Sequence, residues 1–93
     1  MAKSMSFADF EAAGRTEGYD EFLVREWEAD KDTGEHTHPF DASLRVVRGG
    51  LEMKLGGTVR NLSVGDSCKV PRNAPHAEIY GPEGATLWVA RGN

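Results

Sequence analysis

Ninety-three residues, 39% hydrophobic and 28% charged, make one small soluble domain rather than two, with a core modest enough for oligomerisation to help it. A formal net charge of -4, from 15 acidic and 11 basic residues, argues against nucleic acid as partner, because phosphate binding needs a basic face. No apolar run approaches the ~20 residues of a membrane span, the first residues carry no hydrophobic signal segment, and Cys68 alone excludes an internal disulfide, so a reducing, cytoplasmic setting is expected.

The chain divides into an N-terminal extension, residues 1–18, and a β-rich body, residues 19–91. Within the extension, residues 5–14 read as a short helix. Ser6 and Asp9 resemble a capping box, Gly14 is a natural stop, and Phe7 and Phe10 share a face at i, i+3. After Gly18 the pattern changes. Tyr19 to Glu28 predicts a strand with Phe22 and Val24 on one face and Leu23, Arg25 and Trp27 on the other. Asp30 to Gly34 is a polar turn. Leu44 to Val47 predicts a strand closed by Gly49-Gly50, and Leu51 to Leu55 a half-buried strand ending at the hairpin signal Gly56-Gly57. Thr58 to Val64, Cys68 to Val70, His76 to Tyr80 and Ala85 to Ala90 complete the set, the last two separated by a turn at Gly81-Pro82-Glu83-Gly84. That turn lacks the helix and lysine of a phosphate loop. Many short strands between glycine turns predict an all-β barrel or sandwich.

The chemistry concentrates in three histidines, His36, His38 and His76, which are all the chain has. His36 and His38 lie two apart, so on a strand they share a face and can converge on one point. Imidazole is the commonest ligand for Zn, Fe, Cu and Ni. Asp41 follows His38 at an odd offset, which would point it away on an unbroken strand; a bulge or turn at Pro39-Phe40 can restore convergence.

These segments resemble the paired motifs of the cupin superfamily. Gly34-Glu35-His36-Thr37-His38-Pro39-Phe40-Asp41, followed by Leu44, Val46, Val47 and Gly49, is similar to the first motif: two histidines one residue apart, an acid, and a glycine ending the next strand. Gly65-Asp66, Val70-Pro71, Asn73 and Pro75-His76 are similar to the second. The resemblance spans roughly residues 20 to 91 and implies a small jelly-roll β-barrel, often dimeric, holding one divalent transition metal (Fe, Mn, Ni or Zn) on His36, His38, Asp41 and His76. Three positions depart from the pattern. Asp41 stands where glutamate is usual and is one methylene shorter, so it reaches the metal directly or acts through water. Asn73 occupies the glycine position, tolerable because asparagine takes φ > 0 most readily after glycine. Tyr80 replaces a frequent asparagine.

Counting by two from Asp41 places Ser43, Arg45 and Val47 inside the barrel. Arg45 is then either a clamp for a substrate carboxylate or, preferably, the partner of Glu78, which lies two past His76 and also faces inward. Tyr80, on the same parity, lines the pocket or packs the barrel. Trp27 and Trp88 are core or pocket wall, Cys68 a small buried hydrophobe, and Glu35 solvated. The resulting expectation is a metal-dependent enzyme, dioxygenase-like or isomerase-like, acting on a small molecule able to carry a carboxylate. The alternative is a non-catalytic sensor barrel. The expected partners are a small-molecule ligand and a second copy in a homodimer, with neither nucleic acid nor membrane.

Overall fold

The computed structural model describes residues 5–92; the first four residues of the expected extension lie outside them. Helix α1 is Phe7–Thr16, and the strands are β1 Glu21–Trp27, β2 Asp41–Leu55, β3 Thr58–Ser63, β4 Ser67–Val70 and β5 His76–Gly92. The capping box forms as its residues predict: Asp9 N–H donates to Ser6 Oγ and Ser6 N–H to Asp9 Oδ2, each at 3.1 Å. The helix continues two residues past the expected stop. It ends instead at Gly18, whose N–H donates to Arg15 O while Tyr19 N–H donates to Gly14 O, a Schellman arrangement. Gly14 serves packing: a Cβ there would meet Phe22 Cε1 at 2.4 Å. The helix lies on the outer face of the sheet through an aromatic cluster, Phe7 edge-on to Trp88 at 5.5 Å and Phe10 edge-on to Phe22 at 6.3 Å. Trp88 therefore sits beneath the helix, while Trp27 lines the interior. No helix among the described residues is long and apolar enough to cross a membrane.

The strands form an antiparallel sheet in the order β1-β5-β2-β3, with β4 pairing β2. The expected all-β jelly-roll architecture with one short helix is what the chain adopts, but two expected turns are absent. Gly49-Gly50 does not end a strand; β2 runs through it, with register shifts between Val46 and Arg48 and between Gly49 and Leu51. Likewise β5 runs through Gly81-Pro82-Glu83-Gly84, which forms the bulged side of the same irregularity, between Ala85↔Gly49 and Tyr80↔Leu51. The two glycine clusters face each other because backbones meet there. Gly49 has φ +70, and a Cβ on it would stand 2.0 Å from Gly84 O.

Alternation along β2 buries Ala42, Leu44 and Val46 and turns Asp41, Ser43 and Arg45 outward. The buried cluster joins Leu44, Val46, Leu51, Met53, Leu62, Val70 and Leu87 with Cys68, Tyr80 and Ala85. Fully burying each large member contributes about 1.5–3 kcal/mol.

Candidate metal centre

The polar segment Asp30–Gly34, expected as a simple turn, is laced along the free edge of the first half of β5. Asp30 N–H donates to Gly81 O at 3.0 Å, Tyr80 N–H to Lys31 O at 2.8 Å and Thr33 N–H to Glu78 O at 3.0 Å. The lacing ends in a reciprocal pair: His36 N–H to His76 O at 2.9 Å and His76 N–H to His36 O at 3.0 Å. Two histidines forty residues apart in sequence thus become direct cross-strand neighbours. His38 shares the face of His36, and its carbonyl is held by Asn73 N–H at 2.8 Å. Asn73 has φ 61, the left-handed conformation anticipated for it at the glycine position.

The three rings form a near-regular triangle, with centroids 4.2 Å apart for His36–His76, 4.9 Å for His36–His38 and 5.0 Å for His38–His76. One ring nitrogen from each can be chosen so that all lie within 4.8 Å of one another. His36 Nδ1 lies 2.9 Å from Gly34 O, and His76 Nδ1 lies 2.9 Å from Ala74 O. A carbonyl only accepts, so each ring carries its proton on Nδ1 and turns the lone pair of Nε2 inward. That is how a ligating histidine is commonly oriented. Burial, reinforced by His76 and His36, holds His38 below the ordinary imidazole range, which keeps its lone pair free near neutrality.

A carboxylate does stand at the triangle, but it is Glu78 rather than Asp41. Glu78 Oε2 lies 3.6 Å from His76 Nε2 and 3.7 Å from His36 Nε2, too long for hydrogen bonds. Its other oxygen, Oε1, accepts from Tyr80 Oη at 2.5 Å. Glu78 and His76 are both buried, 7% and 3% exposed, so this pair cannot lean on solvent. Two inward lone pairs facing a buried carboxylate are acceptors facing an acceptor. A cation among them relieves that arrangement, so the donor set fits a divalent transition metal.

Asp41 and Arg45 are corrections to the expectation from sequence. Asp41 Oδ1 instead accepts from Arg72 N–H at 2.8 Å, on the outer side of β2, away from the three imidazoles. Arg45 shares that outward parity and lies under α1 beside Ser43, Arg60 and Lys69, so it makes no pair with Glu78. The parity count was anchored on Asp41, and with that anchor reversed Ser43 and Arg45 reverse with it. Tyr80 is buried as packing and as hydrogen-bond donor together, its ring stacked on Trp27 at 4.9 Å. Burial, followed by the charge and hydrogen bond of Glu78, pushes its phenol well above the usual range, so it remains a donor.

In front of the triangle is a cavity of about 330 Å³, walled by Leu23, Leu44, Val70, Leu87 and Val89 and edged by Arg25, Lys31 and Arg91. Sequence reasoning placed Leu23, Arg25 and Trp27 on one face but gave only Trp27 a role, as core or pocket wall; the cavity is lined by all three. Its signal was the same two-residue alternation used for the histidines.

The model of the cupin domain family matches residues 23–89. This chain belongs to the cupin family. Solved structures agree on the fold. The cupin domain of Schizosaccharomyces pombe Cnp3 superposes with a TM-score of 0.71 at 18% identity, over 77% of this chain and 51% of that one. KdgF from Halomonas sp. gives 0.67 at 23%, over 77% and 67%. The DMSP lyase DddQ from Ruegeria pomeroyi DSS-3 gives 0.69 at 26%, over 77% and 38%. This cupin thus spans about half of the Cnp3 chain, 38% of the DddQ chain and about two thirds of KdgF. No curated protein matches it.

Proposed function

We propose that this cupin is a metal-dependent enzyme of dioxygenase-like or isomerase-like type acting on a small molecule, with His36, His38 and His76 as metal ligands and Glu78 beside them. The observation that carries the reading is the triangle of three imidazoles, two of them with their Nδ1 protons occupied by backbone carbonyls, facing a buried carboxylate. Three protein nitrogens leave coordination positions open, the property that distinguishes catalytic from structural sites. A bound metal would act as a Lewis acid on a substrate oxygen or as a centre for oxygen chemistry.

The protein's own groups have definable parts. The backbone carbonyls of Gly34 and Ala74 fix two rings in the ligating tautomer. Among the described residues Glu78 is the only carboxylate lining the cavity, and Tyr80 holds a proton on its Oε1. That pair is placed to accept or return a proton at the substrate, which favours the isomerase-like variant. The aliphatic walls give the reacting centre an apolar surround. The similarity to a DMSP lyase supports an enzyme over a non-catalytic sensor barrel. The remaining parts of the proposal are a single domain, a cytoplasmic location, supported by the buried free thiol of Cys68, and a homodimer. Exposed valines on two of the edge strands, Val24 on β1 (51%) and Val59 on β3 (56%), support the dimer.

The test is cobalt substitution. Visible absorption of the Co(II) protein should shift on addition of azide, reporting an open position. Bands unmoved by azide at saturation would mean a closed, structural site and would end the enzyme reading.

A further inference from the structure

The cavity charges are not balanced. Arg25, Lys31 and Arg91 line it, against Glu78 alone. Glu78 is engaged by Tyr80 and faces His36 and His76. Arg91 is paired with Glu21 and lies over Phe40 with its guanidinium carbon 5.0 Å from the ring centroid. Arg25 differs from both. Among the described residues it makes no ion pair, yet its guanidinium is positioned, 5.0 Å over the ring of Trp27.

Trp27 stacks in turn on Tyr80 with planes only 13° apart, and Tyr80 donates to Glu78 beside the imidazoles. One chain of contacts therefore sets the position of the guanidinium relative to the histidine triangle. A stacked guanidinium with its donors unclaimed is a planar fork matched to two carboxylate oxygens. The protein as a whole carries -4, so general attraction of anions is not the cause; the preference is local to this rim. The same cavity is walled by Leu23, Leu44, Val70, Leu87 and Val89, which suits a short hydrocarbon body.

We infer that this cavity recognises a small organic acid with an apolar body, and that Arg25 is the specificity-determining residue that holds its carboxylate, with the Lys31 ammonium on the same rim. The inference rests on the cavity being the substrate site proposed above. It assigns to β1 the clamp that the sequence suggested for Arg45 on β2.

Calorimetric titration of the full-length Zn-loaded protein tests it, using hexanoate, benzoate, hexanamide and butylphosphonate as probes. The wild type should bind the two carboxylates. Arg25→Gln should weaken them at least about tenfold, the range of a charge-assisted hydrogen bond, and Arg25→Lys should weaken them less. Hexanamide should bind none of the three proteins. Zinc stoichiometry, measured on the same samples, should be equal in wild type and both variants. Carboxylates bound equally by Arg25→Gln would seat the anion on the metal and overturn the inference. Wild-type binding of the phosphonate alone, or of no probe, would overturn it too. A wild type that takes no zinc yet binds hexanoate through Arg25 would remove the metal-enzyme reading and leave the acid site standing.

Discussion

Glu78 joins two systems that the sequence separates: its Oε1 takes the phenolic hydrogen of Tyr80 at 2.5 Å, while its Oε2 stands 3.6 Å from Nε2 of His76. Alternation on β5 puts all three side chains on one face, at positions 76, 78 and 80. The carboxylate is thereby held by a donor that stays protonated and is aimed at the imidazoles.

Replacing Glu78 with glutamine removes the negative charge and keeps the shape. Zinc affinity should fall about 10–100-fold, as when a group supporting a metal site is lost. Competition with a chromophoric chelator measures it. Unchanged affinity would show that the carboxylate does not serve the metal.

The raised phenol of Tyr80 gives the fold an alkaline limit. The folded chain keeps this proton to higher pH than the unfolded chain, whose tyrosine titrates near about 10. The contribution is therefore complete below that pH and is lost as pH rises above it. Denaturant midpoints between pH 8 and 11 should fall in the wild type and fall less steeply in Tyr80→Phe, which has no phenol to ionise.

Asp41→Ala separates the observed role of that residue from the one its position in the motif suggests. Losing the acceptor for Arg72 N–H should cost about 0.5–1.5 kcal/mol in urea melts, with metal stoichiometry unchanged.

Gly49→Ala tests the crossing of β2 and β5. The alanine methyl would meet Gly84 O at a φ that only glycine adopts freely, so at least about 2 kcal/mol of stability should be lost. A loss below about 0.5 kcal/mol would mean that the two strands do not approach as described.

Much of this was legible in the sequence. Ser6 and Asp9 are close enough in sequence for local chemistry to decide their contact, and the His36–His38 spacing gives a shared face on any extended chain. Asp41 and Arg45 were not legible in the same way. Alternation states which residues share a face but not which face is inside, and one wrong anchor turned the whole series. The glycine pairs Gly49-Gly50 and Gly56-Gly57 look alike in sequence; only the second makes a turn, because β5 runs alongside the first and carries β2 through it. Glu78 was read as inward, but its engagement with the histidines depended on the lacing of residues 30–36 along β5, which is set by tertiary contacts.

The central claim is that His36, His38 and His76 hold one metal ion. Elemental analysis of the untagged chain, purified without chelator, beside His36→Ala and His76→Ala variants shown by circular dichroism to be folded, tests it most directly. The account predicts about one transition metal per chain in the wild type and none in either variant. A folded wild type that carries no metal and refuses added Fe, Mn, Ni and Zn, or variants that keep the full complement, would contradict it.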